Sequence, residues 1–463
     1  MKYCTIMPVK TACLLLALVL ISADDFAQTL SQSPYGRYAT GDQLPQTNHL
    51  LNGLGGASVA FSDSNNINTN QPASLTSIGS GITIFDAGFT GLATEYSTDL
   101  LKATGRTAGF GYLAFAFPII KKRWTASLNL TPLSNSGFTL KDSSDTGAEG
   151  RTFYNYVGTG GYSSAGFANG IRLTRDIHIG VQARYIFGKS DYSSQVFFPD
   201  NGTIYRGGRI TSSKRLSDID FTFGLTAQHR FRRPAPRIDT IFDIAAPNGY
   251  RIQVIQKDSI HLKFGAVFTP SVSASASNTY LAESFFTSGS SSFTDTILYK
   301  DNQAGTFILP MQAAAGFTIG NCYNKWLVTT EFRYTDWNGF RIFDKVDSVR
   351  SSYRASLGFQ WIPRPLEKGS YFSKVRYRLG GYYSDGYLKI NNQAVPEMGI
   401  SLGFGLPFEL QTYARKVATS LLSISISAGQ RGMPQQNLLV ERYLKVGIGF
   451  SLNDRWFNRT RFE

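Results

Sequence analysis

Cysteine, histidine and charge are all scarce in this sequence. Three of its 463 residues are cysteines. Cys4 and Cys13 fall within residues 1–27, which we predict below to be a signal peptide, so the mature chain keeps only Cys322 and no internal disulfide can form. The chain has four histidines and no HExxH sequence, phosphate-binding loop or cysteine cluster, so it lacks the usual patterns of an active site. We therefore expect no enzyme, no catalytic residue, no metal and no cofactor.

Long hydrophobic runs are missing too. The one unbroken apolar run, residues 11–22, is too short for a membrane-spanning helix, which needs roughly 20 residues. It follows Lys2 and Lys10 and precedes small residues near Ala27, an arrangement typical of a secretory signal. We predict a signal peptide at residues 1–27 and an exported mature chain.

Charged residues make up 17% of the chain, and 46 basic residues outnumber 32 acidic ones. The basic residues are scattered and form neither a run nor a recognition helix, so we expect no nucleic-acid partner. Aromatic residues are abundant at 14%, and there are 45 glycines. This composition favours β-strands with aromatic girdles over helices.

From residue 82 onward, apolar and polar residues alternate, as in strands that have one apolar face. Near the C-terminus, for example, Leu444, Val446 and Ile448 alternate with Lys445 and Gly447. Each such stretch is about ten residues long, enough for a tilted strand to cross a bilayer. A soluble β-sandwich is the alternative, but it does not need an outward apolar face on nearly every strand. The pattern predicts an all-β, transmembrane antiparallel barrel at residues 82–463, in the outer membrane of a Gram-negative bacterium.

The alternation continues through about fourteen strands, an even number, as expected when both chain ends are periplasmic. They start near residues 82, 107, 123, 163, 177, 218, 261, 311, 325, 351, 374, 397, 420 and 442. The long connections at 134–162, 189–216 and 271–309 then lie outside the cell. The long periplasmic connection at 232–260 holds either an extra hairpin around 239–255 or two further strands. All five tryptophans lie at or just beyond predicted strand ends, which is typical of aromatic belts.

A glycine-rich segment precedes the first strand. Residues 52–78 read NGLGGASVAFSDSNNINTNQPASLTSI, which resembles the N-terminal hatch of the long-chain fatty-acid transporter family of outer-membrane proteins. Residues 263–271, 326–340 and 375–408 also resemble strands of that family, in the same order. The family usually has Asn-Pro-Ala where this chain has Gln-Pro-Ala. The resemblance implies a lumenal plug at residues 28–81, and its predicted contact residues are Gly55, Gly56, Asn70, Gln71, Pro72 and Ala73.

The resemblance further implies a plugged barrel that takes up hydrophobic molecules, such as long-chain fatty acids, by passive diffusion. Ligands are captured under outer loops and leave sideways into outer-membrane lipid, through a kink in the third strand. Here that strand closes on Asn129, Thr131 and Pro132, our lateral-gate candidates, because proline cannot donate to the ladder. The alternative is that Pro132 only ends the strand at its outer rim.

Two groups of side chains are ligand-binding candidates. Aromatic pairs in outer loops could line a capture groove, or they pin loops together or touch lipid headgroups. Inward-facing arginines could grip a carboxylate, or they form ion pairs within the lumen, as Glu331 near one of them suggests. The candidates are Phe197, Phe198, Phe285, Phe286, Arg184 and Arg333.

Two other functions stay open at this point. Some relatives of the resembled family are accessory barrels in protein export, which bind protein cargo or a secretion channel and transport no lipid. A structural barrel with a permanently shut plug is the third hypothesis. The expected partners are outer-membrane lipid, a hydrophobic small molecule, the barrel-assembly machinery during biogenesis and, on the second hypothesis, a secretion system.

Overall fold

The computed structural model describes residues 32–99, 101–145, 151–198, 205–231, 237–242, 250–255, 260–288, 291–321, 325–363, 370–408, 419–434 and 438–455. The predicted signal peptide and Trp456 lie outside these residues. Within them, the chain forms a closed antiparallel barrel whose wall has fourteen strands, three of which are interrupted. The predicted strand number is confirmed.

Each wall strand pairs with its sequence neighbours, and the last strand pairs with the first along its whole length, which closes the barrel. The strands are β1 (Ile82–Ser97), β2 (Lys102–Ile120), β3 (Trp124–Asn135 and Phe138–Asp145), β4 (Arg151–Arg172), β5 (Ile177–Phe197), β6 (Gly207–Arg230), β7 (Ile260–Thr269 and Val272–Ser288), β8 (Ser291–Leu309 and Met311–Asn321), β9 (Trp326–Asp336), β10 (Ser352–Trp361), β11 (Arg376–Ser384), β12 (Glu397–Phe408), β13 (Ser420–Arg431) and β14 (Val440–Arg455).

The smaller elements precede or connect the wall strands. They are the 3-10 turns Pro34–Arg37, Pro72–Ser77 and Tyr371–Lys374, the helical turn His49–Asn52, the short strands Asp42–Gln43 and Arg341–Ile342, and the hairpins Arg237–Phe242 with Tyr250–Ile255 and Lys389–Ile390 with Gln393–Ala394. The first of these hairpins confirms the hairpin predicted in the long periplasmic connection. In the described part of the chain, no helix is long and apolar enough to span a membrane.

The wall is apolar on its outer surface. On β14, Leu444, Val446 and Ile448 are exposed, whereas Ser451 and Asn453 are buried on the inner face. The same exposed apolar row continues on the neighbouring strands, with Phe89 on β1 and Leu402 on β12. An apolar band of this extent is costly in water and is the surface that a membrane barrel presents to lipid. The protein is an outer-membrane barrel.

The predicted long outer loops are instead mostly strand. Beyond the apolar band, six strands continue as one sheet, which we call the extracellular sheet. It comprises residues 138–145, 151–161, 188–197, 207–216, 272–288 and 291–309, paired in that order. These segments mix polar and apolar residues on both faces, since neither face meets lipid. The alternation of apolar and polar residues is therefore weak in the sequence of these segments.

The aromatic-belt prediction is wrong for one tryptophan. Trp337 follows β9 but is only 6% exposed. Its ring stacks on Tyr387 at 5.0 Å and meets Phe340 edge-on at 5.2 Å. It therefore belongs to a buried cluster at the outer end of the lumen and does not face lipid.

Candidate functional site

The residues before β1 lie inside the barrel. We call residues 32–81 the lumenal segment. Leu50, Leu51 and Leu54 are fully buried, and they form a cluster with Leu327 on the inner face of β9. An apolar cluster in the middle of a barrel lumen excludes water from that level of the barrel.

The lumenal segment approaches the wall at glycines. A Cβ atom at Gly380 would lie 2.0 Å from the backbone N of Gly55, and one at Gly447 would lie 2.1 Å from His49 Nδ1. No side chain fits at such distances, so only glycine allows this approach. The same holds on seven other strands, at Gly88, Gly170, Gly180, Gly224, Gly265, Gly358 and Gly403.

The predicted plug residues lie at these contacts. Gly55 and Gly56 have positive φ angles of 71° and 83°, and the N–H of Gly55 donates to Ser401 Oγ at 3.0 Å. Pro72 and Ala73 begin the 3-10 turn Pro72–Ser77.

Gln71 and Asn70 also make polar contacts close to these glycines. Gln71 Nε2 donates to the carbonyls of Leu225 and Ala266 at 3.2 Å, which joins the segment to two wall strands. The backbone N–H of Asn70 donates to Asn68 Oδ1 at 3.1 Å, within the lumenal segment.

A carboxylate of the wall also holds the segment. Glu331 accepts hydrogen bonds from the backbone N–H groups of Ser58 and Val59, at 2.7 and 3.0 Å. Its other oxygen accepts from Arg333 Nη2 at 2.7 Å. The candidate residue Arg333 is therefore engaged in the docking of the segment. Such charge-assisted bonds are short and strong in a dry interior.

The second candidate arginine is paired as well. Arg184 donates from Nε and Nη2 to both oxygens of Asp220, at 2.8 and 2.5 Å. This is a bidentate pair on the inner face of β5 and β6. Both arginines line the lumen, and both already have a carboxylate partner.

The outer end of the lumenal segment is fixed by a third arginine. Arg431 pairs with Asp42 at 2.5 Å and with Glu441 at 2.5 Å, and it donates to Ser33 Oγ at 2.8 Å. Its guanidinium also lies over the ring of Tyr35, 5.1 Å from the centroid. One buried cation at the outer end of β13 thus holds the first part of the segment. We call these contacts the Arg431 network.

His49 is the inserted side chain of the helical turn. Its ring lies 5.3 Å from that of Tyr112, in the notch left by Gly88 and Gly447. Burial, and then the nearby charge of Lys445, lower the pKa of His49 to about 4. The imidazole is therefore neutral at ordinary pH.

The wall has a gap between β2 and β3. Their pairing ends at Leu113 and Leu130, although β2 continues outward to Lys102. Beyond that point β3 pairs with the lumenal segment, with Asp42 opposite Asn135. The segment therefore covers the inner side of the gap, which lies at the level of the apolar band.

The gate candidates lie along this gap. Pro132 does not end the strand, as one prediction had it, because β3 continues to Asn135. The carbonyl of Pro132 accepts from Gln46 Nε2 at 3.0 Å, and Thr131 donates to Gln46 Oε1 at 3.2 Å. Asn129 lies deeper, where β3 is still paired with β2.

A cavity of about 400 Å³ lies between the lumenal segment and the outer lumen, and it borders the gap. Its lining mixes apolar and charged residues. The apolar residues include Leu44, Pro132, Leu133, Ile186, Leu216 and Leu309, and the charged residues include Asp42, Arg184, Asp220, Glu331, Arg333, Arg354, Glu397, Arg431 and Lys445.

The four aromatic candidates are not among the residues that line this cavity. Phe197, Phe285 and Phe286 belong to the extracellular sheet, so their predicted loop position is wrong, whereas Phe198 directly follows a strand of the sheet. Phe197 stacks on Phe153 at 5.4 Å, and Phe286 stacks on Phe293 at 4.9 Å. Phe285 lies under Arg209 at 5.3 Å, and Phe198 lies 5.5 Å from Tyr205. These contacts join neighbouring strands of the sheet.

The sequence matches the model of the BamG family over residues 9–235 and 240–463. The chain belongs to the BamG family. Among solved structures, the Pseudomonas putida toluene transporter TodX is 12% identical, with a TM-score of 0.51 over 90% of this chain and 100% of that one. A Pseudomonas aeruginosa FadL homologue is 11% identical, with a TM-score of 0.52 over 89% of this chain and 98% of that one. The predicted resemblance is confirmed for the fold. Comparison with curated proteins gives no match.

The Arg431 network was not predicted from the sequence of this BamG-family chain. Arg431 and Asp42 are 389 positions apart, and no local pattern links residues at that separation. The available signal was weak: Arg431 and Glu441 stand at the facing outer ends of two predicted strands. Within the described residues, no group of three or more His, Cys, Asp or Glu side chains could hold a metal ion.

Proposed function

We propose that this BamG-family chain is an accessory outer-membrane barrel that acts by binding other proteins, as part of the barrel-assembly machinery to which the family name refers. The observation that carries the proposal is the extracellular sheet. Six strands continue past the apolar band and form a surface that is not required for spanning the membrane. A surface of this kind is suited to contacts with another protein outside the membrane.

The closed lumen supports the same proposal. The lumenal segment is docked on glycines from nine wall strands and is held by Glu331 and Arg431. Opening an aqueous path would break many of these contacts together. Many charged residues line the cavity that is left, and ionised groups are poor surroundings for an apolar ligand.

The first test is copurification. The full chain carries an affinity tag in its native host, and outer membranes are extracted in mild detergent. We expect the central barrel of the assembly machinery to elute with the tagged chain, and not with an equally abundant tagged barrel of another family. We also expect depletion of the chain to lower the amount of other folded barrels. Isolation of the chain alone, together with unchanged levels of other barrels, would contradict the proposal.

A second candidate function is passage of hydrophobic molecules, and the gap between β2 and β3 favours it. The cavity borders this gap near Pro132 and Leu133, which are among its apolar lining residues. A molecule that leaves there enters lipid without crossing water, and each methylene group that it buries stabilises it by about 0.8 kcal/mol. Long-chain fatty acids are the ligands that we propose for this route, by passive diffusion.

Uptake of labelled oleate, in cells that lack their own fatty-acid transporter, tests this candidate. Gln43 and Ser134 are directly opposite in the short pairing that covers the gap. The double substitution Gln43→Cys and Ser134→Cys should lock the segment onto β3 when oxidised. We expect uptake by the unsubstituted chain, loss of uptake on oxidation of the variant and recovery with reductant. A folded barrel that takes up no oleate would remove this candidate.

A further inference from the structure

We propose that the open edge of β8 in the extracellular sheet binds an extended β-strand of a partner protein. This inference rests on the proposed function and names the surface through which it would act. We define the β8 edge as residues 291–305. Its other side is paired with β7 except at Ile297, Asp301 and Asn302, where the register shifts.

The β8 edge has no strand next to it in the described chain. The second part of β8, Met311–Asn321, pairs with β9. Above it, only Phe307 and Ile308 have partners on that side, in Arg341–Ile342, and the carbonyl of Thr306 accepts from the N–H of Phe343. From Gly305 outward to Ser291, no described segment pairs with this side. The fifteen residues offer up to about 50 Å of edge, with an irregularity at Asn302, whose φ angle is 45°.

The edge is also unusually apolar for a solvated strand. All residues from Phe293 to Ala304 are exposed. Four of them have large apolar or aromatic side chains, namely Phe293, Ile297, Leu298 and Tyr299. Natural proteins normally cover or shorten such an edge, because it recruits other strands. One lysine, Lys300, and two register shifts against β7 restrict unspecific pairing but do not cover the edge.

An extended strand is the occupant that fits these features. The free groups are a row of backbone donors and acceptors, which a pairing strand satisfies throughout. The edge lies beyond the apolar band, so lipid chains do not reach it. Asp295 and Lys300 lie among its apolar side chains, so a partner strand needs both apolar and charged residues.

The charges favour a different protein over a second copy of this chain. Antiparallel self-pairing makes most contacts when it is centred on Leu298, the middle of the edge. That register places Asp295 of each copy opposite Asp301 of the other, and like charges directly opposite are destabilising. A partner strand with Lys or Arg opposite these two aspartates avoids this repulsion.

Photo-crosslinking in intact cells of the native host tests the inference. Ile297 is replaced by photoreactive benzoylphenylalanine, and the matched control places the same group at Val346. Both positions are outside the membrane and similarly exposed, at 69% and 71%, but only Ile297 is on the β8 edge. We expect one crosslinked protein from position 297 and none from position 346, with the crosslinked peptide located by mass spectrometry.

Charge reversal then separates strand pairing from chance proximity. We expect Asp295→Lys with Asp301→Lys to lower the crosslink yield about five-fold or more, through repulsion of basic partner residues. The control, Asp142→Lys with Asp145→Lys, makes the same change on the opposite edge of the sheet and should leave the yield unchanged. Absence of a crosslink at position 297, a crosslink to a second copy, or insensitivity to charge reversal would overturn the inference.

The copurification test distinguishes this inference from the proposed function. If the chain elutes with the assembly machinery but position 297 crosslinks to nothing, the β8 edge is not the docking surface and the proposed function stands. If position 297 crosslinks to a strand of a protein outside that machinery, and copurification fails, the β8 edge binds a partner and the proposed function is wrong.

Discussion

His49 illustrates at the scale of one residue how the lumenal segment depends on a tightly packed notch in the wall. Its pKa is lowered to about 4 by burial and by Lys445, whereas an unfolded histidine has a pKa near 6.5. Below pH 6.5 the unfolded chain therefore binds more protons than the folded one. Stability is lost as the pH falls from about 6.5 to about 4 and then levels off, with a total near 3 kcal/mol.

Thermal unfolding in detergent between pH 4 and 7.5 measures this effect. We expect the transition temperature of the natural chain to fall on acidification. His49→Gln is neutral at every pH and should make the profile flatter, even if its stability at pH 7.5 is lower. Parallel profiles for the two proteins would mean that His49 does not contribute to the acid sensitivity.

Two adjacent glycines test the close approach of the lumenal segment. Gly380 faces Gly55, with no room for a Cβ atom, whereas the nearest atom to a Cβ at Gly381 is 3.7 Å away. We expect Gly380→Ala to destabilise the folded barrel by about 1–3 kcal/mol through overpacking. Gly381→Ala should have little effect. Chemical unfolding of both variants measures the difference, and equal effects would show that the contact at Gly380 is dispensable.

In these contacts, the residues of the lumenal segment were easier to predict from the sequence than the glycines of the wall strands. Gly55, Gly56 and Gln71 were recognisable because they lie in a glycine- and asparagine-rich run before the first strand. Gly380 and Gly447 were not, since glycines within barrel strands are common. Nothing local distinguishes a glycine that faces lipid from one that receives another backbone.

At the scale of elements, the Arg431 network decides whether the outer part of the lumenal segment stays docked. Arg431→Gln leaves Asp42 and Glu441 buried without a countercharge, which typically costs about 3–5 kcal/mol. Arg37 is an exposed trypsin site in the same part of the segment. We expect the substitution to increase cleavage after Arg37 about ten-fold or more, because local opening becomes easier.

Arg442→Gln is the control for this prediction. Arg442 lies in an exposed pair with Glu95, at 3.7 Å, and such pairs contribute little to stability. Cleavage after Arg37 should therefore stay at its natural rate. If Arg431→Gln also leaves that rate unchanged, another contact holds the outer part of the segment.

The strand boundaries were predicted more closely from the sequence at the periplasmic end of the barrel than at the outer end. Strand starts at the periplasmic side were predicted closely, as at Ile82, Ile177 and Trp326, because the lipid-facing alternation begins there. Several starts at the outer side were placed too late, whereas those at Ser352 and Glu397 were predicted to within one residue. β4 begins at Arg151 and β8 at Ser291, well before the predicted positions, because these outer parts have no apolar face that would reveal a strand.

At the scale of the whole molecule, fourteen alternating segments and periplasmic chain ends were enough to predict a closed barrel. The gap between β2 and β3 could not be derived in the same way. It depends on which segment pairs with Thr131–Asn135, and the alternative to β2 is a short piece of the lumenal segment just over ninety residues earlier. Both possible partners are distant in sequence, and local sequence patterns do not show which of them pairs with this part of β3.

In the complete barrel, we expect the lumenal segment to act as a seal. A wall of fourteen strands encloses a lumen wide enough for water once it is empty. We expect the natural chain to conduct no measurable current in planar bilayers, and deletion of residues 28–78 to give a stable, ohmic conductance. Gly380→Ala should give brief openings only, because it weakens one contact among many. A shortened but folded barrel that stays silent would mean that the wall itself closes the lumen. Steady conductance by the natural chain would mean that the segment is not a seal, and the hydrophobic-passage candidate would then gain weight over a purely protein-binding barrel.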